Sequence, residues 1–186
     1  MRIVTLDQNS LDECCRKLSQ QILDSGYKPN LLIGVKNGGT VIAEKIFSNL
    51  SLPDCHLDFC HPVRSISKQK KSFFKNNLRI LPTFVLNWMR ILEYKFIFSG
   101  KGRKQFVKIE LSEKISEYND ILLVDDAVDS GASLNELIRH IKTINPEAIV
   151  RSAVLTVTSN NPVHNPDYFI FKEKTLLRFP WSADAK

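Results

Sequence analysis

No cysteine pair in this chain has the C-x-x-C spacing of a zinc ribbon or a thiol redox site; Cys14, Cys15, Cys55 and Cys60 make up the whole complement. His56 and His61 stand beside the last two. The run Cys55-His56-Leu57-Asp58-Phe59-Cys60-His61 alternates like a strand, however, and divides its side chains between two faces, so these residues read as structural. The N-terminus, MRIVTLDQNS, lacks a basic region leading into an apolar run and a small-residue cleavage site. Secretion is therefore not indicated, and the cytoplasm is the expected compartment. No segment joins low hydrophobicity to charge of one sign, which excludes a disordered tail and implies that the whole chain folds. Nor is there an unbroken apolar run of bilayer length. LRILPTFVLNWMRILEYKFIF, residues 78–98, comes nearest, but Arg79, Pro82, Arg90, Glu93 and Lys95 interrupt it.

The chain is 186 residues long and 43% hydrophobic, enough for one compact α/β or α+β domain with little room for a second. Its formal charge of +6 is unevenly spread. Residues 64–108 hold twelve Lys and Arg against one acidic residue, Glu93, whereas the remainder carries 14 basic and 19 acidic residues. A mildly acidic body thus bears a basic, partly apolar insert. Four readings stay open for that insert: a basic flap packed on its own domain or on a second subunit, an amphipathic helix on a membrane surface, a nucleic-acid contact, or a partner contact.

Around the insert runs an alternation of strands and helices. Ser10-Leu11-Asp12-Glu13 has the S-x-x-E form of a capping box, followed at helical spacing by Leu11, Cys15, Leu18 and Ile22, which predicts a helix to about Asp24 with Gly26 as its stop. LLIGV, residues 31–35, suits a buried strand, and after the loop Lys36-Asn37-Gly38-Gly39 a second helical stripe passes through Ile42, Ile46 and Leu50. Residues 55–60 form another strand candidate. Beyond the insert, ILLV (121–124) reads as a buried strand, and Leu134, Leu137, Ile138 and Ile141 as a helix stripe. Residues 148–157 follow as a longer strand, then 168–171 and 176–179 as short ones. Such alternation implies a parallel sheet covered on both faces, with ligands beyond the carboxyl ends of its strands.

Two loops, 36–39 and 125–133, each follow a buried strand and precede a helix, and so belong on the same edge of the sheet. In the second, Ser130, Gly131, Ala132 and Ser133 are small enough for backbone N–H groups to approach a phosphate, and the helix that follows adds its positive end. Asp125 and Asp126 would repel that phosphate and must face another part of the ligand. Carboxylates accept strongly from paired sugar hydroxyls, each such bond contributing about 1.5–3 kcal/mol. A sugar phosphate with vicinal hydroxyls meets all of these demands. LLVDDA also has the look of a phospho-receiver's first strand, where an acidic pair binds magnesium, but such a strand opens its domain and the SGAS loop would then have no purpose.

The stretch VDDAVDSGAS resembles the signature of the type I phosphoribosyltransferases, an apolar strand, two acidic residues and a D-T/S-G-x-T/S loop, with Ser at both hydroxyl positions. The resemblance implies an α/β fold with a central parallel sheet flanked by helices and a small C-terminal hood, spanning residues 1–186 as one domain with the insert at about 64–108. It implies binding of 5-phosphoribosyl 1-pyrophosphate with Mg2+: Asp125 and Asp126 toward the ribose hydroxyls and the metal, Ser130, Gly131, Ala132 and Ser133 around the 5-phosphate, and Asp129 as the base near the acceptor. Lys36, Asn37, Gly38 and Gly39 look like the family's pyrophosphate loop. DYFIFKEKTLLRFPW is similar to the end segment of xanthine-guanine-type members, which places Leu176 and Leu177 at the base. The lysine that such members direct at a 6-oxo group falls near Thr158, and no lysine occurs between 152 and 171. The implied activity is phosphoribosyl transfer to a purine-like base by a homodimer. The alternatives are transfer to a non-purine acceptor at a membrane and an inactive, donor-binding sensor or nucleic-acid-binding regulator.

Overall fold

The computed structural model describes residues 2–35, 38–64, 107–110, 113–172 and 175–181. The chain divides into two compact units, one of Met1–Val63 with Ile109–Lys186 and the other of Arg64–Lys108. Apart from Arg64, Val107 and Lys108, the basic stretch singled out above lies outside the described residues.

In chain order the described elements are β1 (Arg2–Thr5), α1 (Gln8–Asp24), β2 (Leu31–Val35), α2 (Gly38–Leu50), β3 (His56–Arg64) and β4 (Val107–Glu110). A short 3-10 turn at Glu113–Glu117 leads into β5 (Asp120–Val128), α3 (Ala132–Ile144), β6 (Ile149–Val157), β7 (Tyr168–Lys172) and β8 (Thr175–Arg178). Among the described residues the main sheet has the order β4-β3-β2-β5-β6-β7, and β3, β2, β5, β6 and β7 all run parallel. This is the fold class that the alternating pattern predicts. β1 and β8 form a separate parallel pair, Ile3 opposite Leu176 and Val4 opposite Leu177.

Side-chain alternation sends the apolar strand residues to two cores. Leu32, Leu122, Val124, Ala153 and Leu155 meet Leu11, Leu18 and Ile22 of α1 and Ile42, Ala43 and Ile46 of α2. Leu31, Ile33, Val35, Ile121 and Leu123 meet Leu134, Leu137 and Ile141 of α3 on the other face. Most of these side chains are wholly buried, and each contributes about 1.5–3 kcal/mol of hydrophobic stabilisation. All four cysteines are buried, and none of them is in a disulfide.

Two local expectations are corrected. α1 begins a turn earlier than the Ser10 capping box implies: Asp7, in extended backbone, is the N-cap, and its Oδ1 accepts from the Ser10 N–H at 2.8 Å. A carboxylate caps as well as a hydroxyl and gains the helix an extra turn, which leaves Glu13 to pair with Lys17 at 2.7 Å. β5, moreover, does not stop at Val124. It continues through Asp125, Asp126 and Ala127 to Val128 because β6 is equally long and keeps pairing with it, Asp125 opposite Val154, Ala127 opposite Thr156 and Val128 opposite Val157.

Candidate active site at the sheet edge

The chain steps from β2 to β3 in one direction along the sheet and from β5 through β6 to β7 in the other. Between the carboxyl ends of β2 and β5 the connections therefore diverge, leaving a crevice of the kind in which open α/β sheets bind ligands. Gly38 and Gly39 follow β2 and Asp129 to Gly131 follow β5, so both groups fall at that edge of the sheet.

Asp125 and Asp126 are both half-buried on the last turn of pleat before it. Oδ1 of Asp125 accepts from the backbone N–H of Asp126 at 2.8 Å. Burial holds the Asp126 carboxyl above its ordinary pKa, since the charged form has lost water. Gly38 lies directly against it: a Cβ at position 38 would stand 1.9 Å from Oδ2 of Asp126. A Cβ at Gly39 would stand 2.8 Å from the carbonyl oxygen of Val124 and 3.2 Å from Oδ1 of Asp125. Only residues without a side chain let the N-terminus of α2 reach the acidic pair this closely. Lys36 and Asn37, the other members of that loop, lie outside the described residues.

The third carboxylate and the small residues come next. Gly131 has φ of 73° and ψ of 1°, the left-handed region that glycine enters freely, and from there α3 starts with no side chain capping its first turn. Ser130 Oγ reaches the Ala132 N–H only at 3.4 Å. The amides of Ala132, Ser133 and Leu134 thus form a positive helix end, where an anion is favoured. Ser130 is exposed, Ala132 is exposed and Ser133 is half-buried. Asp129 is exposed, and its Oδ1 accepts from the Thr158 hydroxyl at 3.0 Å, so Thr158, where a lysine was sought, supports the carboxylate instead.

At the C-terminal end the structure splits the predicted base-contacting pair. Leu177 is 7% exposed and belongs to the α1–α2 core, whereas Leu176 points to the other face of β8 and is half-buried. Phe179 stacks on the partly exposed Trp181, ring centroids 4.9 Å apart.

One cluster beside the site was not foreseen. Ser152, wholly buried on β6, lies with Oγ 2.8 Å from His164 Nε2 and 3.1 Å from Asp167 Oδ2. These residues sit 12 and 15 positions apart, and the only local signal, the turn-rich run SNNPVHNPD, marks a loop without showing where it docks.

Fold and site together define a doubly wound α/β protein with a helix end that no side chain caps and paired carboxylates at its switch point. The phosphoribosyl transferase domain model matches residues 6–184. The chain belongs to the phosphoribosyltransferase family, and its class of chemistry is phosphoribosyl transfer. Solved structures with the same fold include a purine phosphoribosyltransferase from Pyrococcus horikoshii, with a TM-score of 0.66 at 20% identity, over 98% of this chain and 95% of that one. The Helicobacter pylori xanthine-guanine-hypoxanthine phosphoribosyltransferase has a TM-score of 0.65 at 16% identity, over 98% and 95%. A hypothetical protein from Neisseria gonorrhoeae with bound ppGpp has a TM-score of 0.64 at 13% identity, over 99% and 92%. Among curated proteins no sequence match was found.

Proposed function

We propose that the protein transfers the phosphoribosyl group of 5-phosphoribosyl 1-pyrophosphate to a purine-like base and releases pyrophosphate. The observation that carries this reading is the contact of Gly38 and Gly39 with Asp125 and Asp126 beside the uncapped start of α3. It supports a reading in which the loop before α2, the loop before α3 and the two carboxylates share one sheet edge and serve a ligand with an anion at each end of a hydroxylated ring. In this reading Ser130, Gly131, Ala132 and Ser133 hold the 5-phosphate, Asp125 and Asp126 accept from the ring hydroxyls, and Lys36 to Gly39 receive the pyrophosphate.

Mg2+ fits these residues in one particular way. Among the described residues no three ligating side chains converge into a metal cage. Two adjacent carboxylates are what a magnesium ion needs when substrate phosphates and water complete its coordination, and it prefers that arrangement to an all-protein site. Once bound, it would offset the charge that grows on the departing pyrophosphate.

As the bond at C1 of the ribose breaks, positive charge develops on the sugar, and the carboxylates of Asp125 and Asp126 favour it. Asp129 removes or orients the acceptor's proton. The Thr158 hydroxyl is on Oδ1, so Oδ2 is the oxygen assigned to that task. Leu176 and Trp181, which stacks on the buried Phe179, provide apolar surface for a flat base in this reading. Because Thr158 is neutral, the acceptor is chosen by shape and by Asp129 more than by a cation.

The test is pyrophosphate release from the donor, screened against purines, pyrimidines and polyols. A purine-specific signal is expected, and Asp129→Asn should lower it about 10²–10⁴-fold. Unchanged turnover in that variant would contradict the assignment of Asp129. A second reading, in which the site holds a phosphorylated nucleotide as a signal, draws on the ppGpp-bound neighbour; donor binding without turnover against every acceptor would select it.

A further inference from the structure

The segment between β6 and β7 does not simply turn at the carboxyl edge of the sheet. It leaves β6 at Val157, passes beneath the loop that opens α3, and runs back so that Asp167 N–H donates to the carbonyl of Ser152 at 3.0 Å. On the way Val163 N–H donates to the carbonyl of Ser130 at 2.7 Å. The backbone of His164 fills the space that a side chain on Gly131 would need, its oxygen and nitrogen 2.6 and 2.7 Å from the ideal Cβ position. The chain of 163–164 is thus the floor on which Ser130 and Gly131 rest.

Three side chains fix that floor to the sheet. Asp167 Oδ2 accepts from both the backbone N–H of Ser152, at 2.8 Å, and its hydroxyl, at 3.1 Å. The hydroxyl has one proton and gives it to the carboxylate, so at the 2.8 Å contact His164 Nε2–H is the donor and Ser152 Oγ the acceptor. Burial lowers the His164 pKa, which keeps the ring neutral near pH 7 and able to hold this tautomer. The arrangement is not a hydrolytic triad: the carboxylate bonds the serine and not the histidine, and Ser152 is wholly buried.

We infer that Ser152, His164 and Asp167 form a clasp, anchored on the buried Ser152, that sets the position of the Ser130–Gly131 loop, with His164 as a positioning residue for the donor's 5-phosphate. The inference rests on the reading of residues 130–133 as the cup for that phosphate. If His164 loses its bond to Ser152, the 163–164 chain is freed and Gly131 is no longer held in the left-handed conformation from which α3 starts. Asp125 and Asp126 keep their places, because β5 stays paired with β6, and Asp129 keeps its bond from Thr158.

The experiment compares wild type, His164→Ala, His164→Gln and Ser152→Ala by calorimetry with two separate probes, ribose 5-phosphate and inorganic pyrophosphate with Mg2+, with melting curves establishing that each variant is folded. The expected result for His164→Ala and Ser152→Ala is ribose 5-phosphate binding weakened about tenfold, the scale of one lost buried hydrogen bond, with pyrophosphate binding unchanged. Gln, whose amide can replace the Nε2 donor, should restore most of the affinity. In turnover, the donor KM should rise by the same factor while kcat at saturating donor stays within about twofold. Wild-type affinity for ribose 5-phosphate in either folded alanine variant, or equal weakening of both probes, would overturn the clasp. A wild-type protein that binds pyrophosphate but not ribose 5-phosphate would instead overturn the reading of the cup itself.

Discussion

Asp126 is where the site's chemistry conflicts with its stability. The residue is half-buried with its carboxyl against Gly38, and burial raises its pKa, so the native state binds the proton more tightly than the unfolded chain does. The sign follows from linkage: the native state is favoured below the ordinary carboxylate pKa of 3.8, and that advantage is lost as pH rises through the higher native value. At neutral pH the charged form is a standing cost. Asp126→Asn should therefore raise the melting temperature near pH 7.5, by about 2–4 °C for each kcal/mol relieved, and the gain should vanish in acid where the wild-type group is protonated. The same variant should lose Mg2+-dependent donor binding. A melting temperature that is unchanged or lower at pH 7.5 would show that burial does not dominate this carboxyl. Strained or costly groups of this kind persist where function holds them.

At the level of elements, β5 and β6 are tied at the edge of the sheet remote from the site. Tyr27, just after α1, donates its buried hydroxyl to the carbonyls of Ile121 at 3.0 Å and Ile149 at 3.1 Å. Arg151 lies over its ring, 4.5 Å from the centroid, and donates to the Tyr168 hydroxyl at 2.6 Å. Tyr27→Phe removes the double contact and should cost about 1–2 kcal/mol, read as a lower melting temperature, with donor affinity unchanged because the site is at the opposite ends of these strands. A loss of donor affinity would mean that the two ends are coupled through β5.

Much at this scale was legible in the sequence. LLIGV gave β2 without error in its bounds, and the stripes Leu11-Cys15-Leu18-Ile22 and Leu134-Leu137-Ile141 are the buried faces of α1 and α3. Apolar periodicity reports burial directly, so these elements declare themselves. Ends set by a partner do not: β5 runs on through two aspartates because β6 offers paired backbone beyond them, and no local propensity encodes that offer. β1 has four residues, too few for a period, and exists by pairing with β8 at the far end of the chain. In the site, the acidic pair and the small-residue loop were readable as chemistry. The clasp was not, because Ser152, His164 and Asp167 meet only through the path of a loop.

Over the whole molecule the charge divides between an acidic majority and the basic stretch 64–108. Among the described residues no helix is long and apolar enough to cross a membrane. The crevice itself presents three carboxylates to a donor that is also strongly negative, so binding requires positive partners. In the proposed function the start of α3 is one such partner, at the 5-phosphate, and the diphosphate end needs a divalent cation. The whole account thus predicts that affinity for the donor is conditional on Mg2+.

A calorimetric titration of 5-phosphoribosyl 1-pyrophosphate into the full-length protein, with and without Mg2+, tests this most directly. Saturable one-to-one heat that appears only with the metal is the predicted result. A folded protein that gives no heat of association in its presence, or binds equally well without it, would contradict the account.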